Sequence, residues 1–136
     1  MSLCLCASQP KEIAVTTDIT HSLPKVVADH IAACNAHDIE AWMATFAPDA
    51  LLNDISREFI GAEAIRAFGA KEIFGDNVTM VVHRAWDRHG NVTVHARFDG
   101  TYDKTNLPDP LILTLYFTIQ DGLITQLIIL RNKTPV

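Results

Sequence analysis

The sequence predicts an α+β fold in which three N-terminal helices pack on a curved antiparallel sheet, forming a cone around one pocket. Two observations along the chain carry this. Apolar residues recur with a period near 3.6 up to Gly75-Asp76-Asn77 and with a period near 2 afterwards. Helical segments therefore come first and strands follow, without the βαβ alternation of a parallel sheet. Length and composition agree: 136 residues suit one domain, and 49% hydrophobic with 20% charged residues is the make-up of a folded globular chain.

Residues 1–21 read as a tail and 22–136 as the domain. Met1 to Pro10 has no basic region ahead of its short apolar run, so no secretory signal is expected. Cys4, Cys6 and Cys34 make an uneven set, and Cys4-x-Cys6 lacks the second half of a metal-ligand pattern. They are expected to be free thiols of a cytoplasmic protein. Ser22-Leu23-Pro24 supplies a cap residue and a first-turn proline for a helix whose inner face is Val26, Val27, His30, Ile31 and Cys34. Asp38 caps a second helix carrying Ile39, Trp42, Met43 and Phe46, which Pro48-Asp49 is expected to end. Ala50 to Ile55 is strand-like. Gly61-Ala62-Glu63 opens a third helix buried through Ile65, Phe68 and Ile73.

Four strands follow: Val78–Trp86, Val92–Tyr102, Leu111–Ile119 and Leu123–Arg131, the last two joined by a tight Gln120-Asp121-Gly122 hairpin. Those last two strands are apolar on both faces. Helices cover one face only, so a second copy of the chain is expected on the other, as a homodimer. A net charge of −5 with 11 basic residues and no basic run argues against nucleic acid and anionic membranes as partners. No apolar stretch reaches the roughly 18 residues of a membrane-spanning helix.

The layout and wording of residues 22–132 resemble the nuclear-transport-factor-two-like superfamily, particularly its SnoaL-like and ketosteroid-isomerase-like branch. The resemblance lies in Asn35-Ala36-His37-Asp38, Phe46-Ala47-Pro48-Asp49-Ala50, Gly61-Ala62-Glu63-Ala64-Ile65-Arg66, and the hairpin from Tyr116-Phe117 to Gly122-Leu123-Ile124. It implies a pocket for a small apolar molecule lined by Phe46, Phe68, Trp86, Phe98, Leu115, Phe117, Leu127 and Ile129. The fold hosts isomerases, cyclases, hydrolases, dehydratases and inert binders, so function has to come from the site.

Asp54 falls where the isomerases carry their general-base aspartate. A carboxylate walled by Phe46, Phe68 and Phe117 has its charged form disfavoured by desolvation, which suits proton transfer at carbon. The plainer alternative is an aspartate that bonds a turn. His30 falls where those enzymes place an oxyanion-stabilising tyrosine; it is equally readable as a helix histidine bonded inside the fold. Leu115 stands where the second oxyanion donor, a protonated aspartate, is placed in the isomerases. Its loss typically costs about 10²–10³ in rate, which argues against steroid isomerisation itself.

Arg97-Phe98-Asp99 resembles the Arg-x-Asp pair of the limonene-epoxide-hydrolase branch. The partner aspartate of that relay meets only Leu127 to Leu130, and strand alternation turns Arg97 and Asp99 away from Phe98. The alternative is a surface ion pair worth ~0–1 kcal/mol. His83, His95 and Asp99 lack the short His spacings of a metal site, so no metal is expected. Arg131 belongs either to the pocket mouth, as an anion ligand, or to a solvated strand end. Leu107-Pro108-Asp109-Pro110 makes a rigid loop bordering the pocket. No Gly-rich phosphate loop is present and no cofactor is implied. Two functions stay open: a cofactor-independent isomerase, dehydratase or cyclase with Asp54 as base, and a non-catalytic binding or dimerisation module.

Overall fold

The structure is a computed structural model that describes residues 16–131. Cys4 and Cys6, and most of the segment read as a tail, lie outside the described residues. The described fold begins at Thr16. β1 (Thr16–Asp18) pairs antiparallel with β4 (Thr79–Arg88), and Ile19 N–H donates to Ala85 O at 2.9 Å. Three residues of the expected tail therefore form a strand at the sheet edge, and three polar residues carry no alternation from which a strand can be read.

α1 (Lys25–Asn35) starts directly after Pro24, and its first turn receives no side-chain cap, so Ser22 does not act as one. Val27, His30, Ile31 and Cys34 form its buried face. His37, at φ 56°, takes the left-handed conformation that closes a helix, and Asp38 N–H returns to Ala33 O at 2.9 Å. Asp38 then caps α2 (Ile39–Met43), accepting Ala41 N–H at 3.1 Å. α2 is only five residues long. Phe46, expected on that helix, opens β2 (Phe46–Asp54), and Pro48-Asp49 lie within the strand.

β3 (Arg57–Ile60) was not foreseen. Ile55 and Ser56 turn the chain with φ of 48° and 76°, and Asn53 Oδ1 accepts Ser56 N–H at 2.9 Å. Two positive φ angles make the tight turn that suits a hairpin, here without the Asn-Gly signal that usually announces it. Gly61 leads into α3 (Ala62–Phe68), which continues as a π-helical segment, Gly69–Phe74. β4, β5 (Asn91–Asp99), β6 (Leu111–Gln120) and β7 (Leu123–Arg131) follow the predicted meander.

The sheet is mixed, correcting the antiparallel expectation. Its order is β1-β4-β5-β6-β7-β2-β3, and β2 runs parallel to β7 with Leu52 opposite Leu127. The helices between β2 and β4 carry the chain from one end of the sheet to the other, which a simple meander cannot do. Register shifts at Phe46/Leu51, Val82/Arg84 and Thr118/Ile119 bend this unclosed sheet. Its concave face presents Val94, Ala96, Leu115, Phe117 and Leu127, all buried against Val27, Trp42 and Ile65 from the helices. The other face carries Val81, Trp86, Ile112, Tyr116, Ile128 and Leu130 among Thr93, His95 and Thr114, and among the described residues no helix lies over it. Among the described residues no helix is long and apolar enough to cross a membrane.

Candidate functional site

β2 ends at Asp54 beside Ile129 of β7, because the parallel pairing sets those two residues level. Two residues further along β7, strand alternation brings Arg131 to the same face, opposite Leu113. These ends, α3, the π-helical segment and the loop after β5 enclose a cavity of about 270 Å³. Phe68, Ile73, Phe98, Leu113 and Ile129 form its apolar walls. Asp54, Glu72, Asp76 and Arg131 supply charge around it.

Asp54 is mostly shielded, its side chain 19% exposed, and Oδ2 accepts a 2.6 Å bond from Arg57 Nη2. The same guanidinium grips Glu72 through two bonds of 2.8 and 3.0 Å. Arg57 also lies 5.8 Å from the ring centroids of both Phe59 and Phe68, which stack at 4.6 Å. These bonds hold Glu72 below its ordinary carboxylate range and raise Arg57 further above its own. Asp54 Oδ1 has no hydrogen bond among the described residues, so only one oxygen of this carboxylate is tied to the protein.

His30 is not part of this cavity. It is buried in the core, within 5.5 Å of the Trp42, Phe46 and Phe117 ring centroids, with Nδ1 3.1 Å from Thr45 Oγ1. Burial pushes its pKa down to about 3. Phe46, Leu115, Phe117 and Leu127 fill the same core and do not line the cavity. Trp86 lies on the opposite sheet face, edge-on to His95 at 4.8 Å. Asp54, Phe68, Phe98, Ile129 and Arg131 are the expected residues that the fold gathers here; His30 is not gathered with them. The rings of Trp42, Phe46 and Phe117 pack around His30 and fill the space between helices and sheet there.

Arg97 and Asp99 are exposed, and Asp99 Oδ1 pairs with Lys104 at 2.9 Å. They are not among the residues around this cavity. His83 and His95 join no group of three or more metal-type ligands among the described residues. Glu72, Asp76 and Tyr102 also line the cavity, and the sequence does not mark them as site residues. Asp76 stands in a turn signal, but Glu72 reaches the cavity through a π-helical register that leaves no mark in the sequence pattern.

A SnoaL-like domain model matches residues 27–127, and the chain belongs to that family, within the nuclear-transport-factor-two-like superfamily. Among solved structures, a candidate polyketide cyclase from Sinorhizobium meliloti is 28% identical, with a TM-score of 0.70 over 81% of this chain and 97% of that one. A Mycobacterium tuberculosis protein in complex with estradiol-17beta-hemisuccinate is 18% identical, with a TM-score of 0.67 over 79% and 92%. A ketosteroid-isomerase-like protein from Catenulispora acidiphila in complex with trimethylamine is 21% identical, with a TM-score of 0.70 over 82% and 88%. The last two likenesses show the fold alone. No curated protein matches the chain in sequence.

Proposed function

We propose that the cavity beside Asp54 binds a small, largely apolar molecule, and that Asp54 is the base of a cofactor-independent proton transfer on it, of the isomerase, dehydratase or cyclase type. The observation that carries this is a shielded carboxylate with one unbonded oxygen at the edge of a 270 Å³ cavity walled by Phe68, Phe98, Leu113 and Ile129. Apolar walls exclude water from the ligand's body, and the few polar groups orient it. Arg131 takes the ligand's polar atom or stabilises charge that develops there. The polyketide-cyclase description of the 28% identical protein supports this class of chemistry.

The test is 5-nitrobenzisoxazole, whose ring opens when a base removes its carbon-bound proton. The native protein accelerates opening over buffer, and Asp54→Asn, which keeps shape but removes the base, lowers the catalysed rate by about 10²-fold or more. A native rate equal to that of buffer overturns the proton-transfer reading.

A second reading, a binding protein without catalysis, is supported by the Arg57–Asp54 bond of 2.6 Å, which already engages one oxygen of that carboxylate. The absence of His30 from the cavity lining supports it too. In either reading we place a second copy of the chain on the uncovered sheet face and the protein in the cytoplasm. Its buried Cys34 thiol is pushed up to about 12 by desolvation and is kept unreactive.

A further inference from the structure

The loop that follows β5 has a hollow on each of its sides. One is the cavity beside Asp54. The other, of about 500 Å³, lies around the ends of β5 and β6 and is lined by Arg97, Asp99, Lys104 and Asp109 with Pro108 and Pro110. Phe98, Tyr102, Leu107 and Leu111 line both. A single layer of side chains therefore separates the two spaces.

The inner cavity, at 270 Å³, falls just short of the ~300–1,000 Å³ of ordinary small-molecule sites, whereas the outer hollow lies within that range. Their chemistry is complementary. The inner walls are mainly apolar; the outer walls present two cations and two carboxylates. Lys104 and Asp99 are already paired at 2.9 Å. Among the described residues the Arg97 guanidinium and the Asp109 carboxylate have no hydrogen bond and no ion pair within 4 Å, although Arg97 acts on Asp99 and Asp109 on Lys104 through their charges. One offers only donors and the other only acceptors.

The partition is built partly from the loop between β5 and β6. Its entry is fastened, since Asp76 O accepts Thr101 N–H at 2.7 Å and the Thr101 hydroxyl at 3.0 Å. Within the partition, Tyr102 is restrained by a long 3.4 Å bond from its hydroxyl to Phe98 O, and Leu107 is half-buried with only its backbone bonded, to Lys104 O. Of the four residues that line both spaces, these two belong to the loop, so joining the spaces requires that they rotate.

We infer that the inner cavity and the outer hollow form one two-compartment site for an elongated amphiphile. Its apolar body lies beside Asp54, and an uncharged, hydroxyl-rich head lies between Arg97 and Asp109. Balanced charge in the outer compartment favours a head with both donors and acceptors over one with net charge. Leu107 sets the ligand's length by standing between the compartments. The inference rests on the inner cavity being the ligand site, and the experiment separates the two claims.

Fluorescence titration compares 2-naphthol, a body alone, with 2-naphthyl β-D-glucopyranoside, the same body with a polyhydroxyl head. In the native protein the glucoside binds about tenfold tighter, a difference of roughly 1.4 kcal/mol. The double variant Arg97→Ala/Asp109→Ala loses that advantage and still binds 2-naphthol. If neither compound binds the native protein, the ligand-site reading and this inference fall together. If 2-naphthol binds but the glucoside gains nothing, or its gain survives the double variant, only the two-compartment site is overturned.

Discussion

Inside the core, the hydroxyl of Thr45 decides which nitrogen of His30 carries the proton. Thr45 Oγ1 gives its one hydrogen to Trp42 O at 2.7 Å, so across the 3.1 Å contact His30 Nδ1 must be the donor. The ring is a neutral Nδ1–H imidazole, and burial lowers its pKa from 6.5 to about 3. Between those values the unfolded chain binds a proton that the folded chain refuses. The stability that neutral His30 allows is therefore complete above pH 6.5 and is lost as pH falls toward 3, at up to about 1.4 kcal/mol per pH unit. His30→Phe removes this dependence: Thr45 keeps its bond to Trp42, and a phenyl ring suits neighbours already arranged edge-on at 5.4 Å. Urea midpoints at pH 6 and pH 4 should fall less in the variant than in the native protein. His95, whose pKa is lowered by desolvation and by Arg84 and Arg88, leaves a residual slope. Equal slopes in both proteins would refute the assignment. The sequence showed that a histidine lies on the inner face of α1; its separation from Asp54 was not legible, because the depth at which a helical side chain ends is set by packing between elements. Asp54 and Arg131 were easier to read, since strand ends at the same rim of a sheet share one surrounding.

The element with the least sequence signal is the π-helical segment, and it depends on Gly69. A Cβ built there stands 2.6 Å from the Trp42 ring, which is itself 1% exposed and cannot retreat. The close approach lets α3 settle on α2 and brings the following residues, Glu72 and Ile73, to the cavity. Single-turn π geometry inside a helix often marks a functional site for this reason: it rotates the residues that follow. Gly69→Ala should cost about 1–3 kcal/mol through overpacking. It should also weaken 2-naphthol binding, because Ile73 and Glu72 shift with the segment. Chemical denaturation measures the first effect and the fluorescence titration the second; an unchanged midpoint would show that Trp42 repacks freely. The period change from 3.6 to 2 was enough to place α1, α3 and the four long strands. It was not enough for β3, formed by a turn of Ile55 and Ser56, or for β2 beside β7, since parallel pairing is a relation between segments far apart in the chain.

On the scale of the whole molecule, apolar side chains stay exposed on the sheet face turned away from the helices. Val81 is 52% exposed, while Tyr116 and Leu130 are each 41% exposed. Register places Tyr116 opposite Ile128 and Arg97 opposite Ile112, so the apolar side chains form a band across β6 and β7 with a polar flank on β5. An apolar core with a polar rim is the pattern of a surface that associates. On a twisted sheet the same face of a second copy can meet it about a two-fold axis, each band covering the other. A heterologous contact would leave half of each band exposed and continue the chain into a filament, whereas the two-fold contact closes. The homodimer expected from β6 and β7 therefore has a direct test. Sedimentation at micromolar concentration should give a dimer for the native chain. Tyr116→Lys/Leu130→Glu should shift it to a monomer with an unchanged far-ultraviolet spectrum, since neither side chain contributes to the buried core. A native monomer would remove the second copy from the account. The cavity lies on the other face of the sheet, so the monomeric variant should still bind 2-naphthol, and loss of binding would show that the partner helps to shape the site.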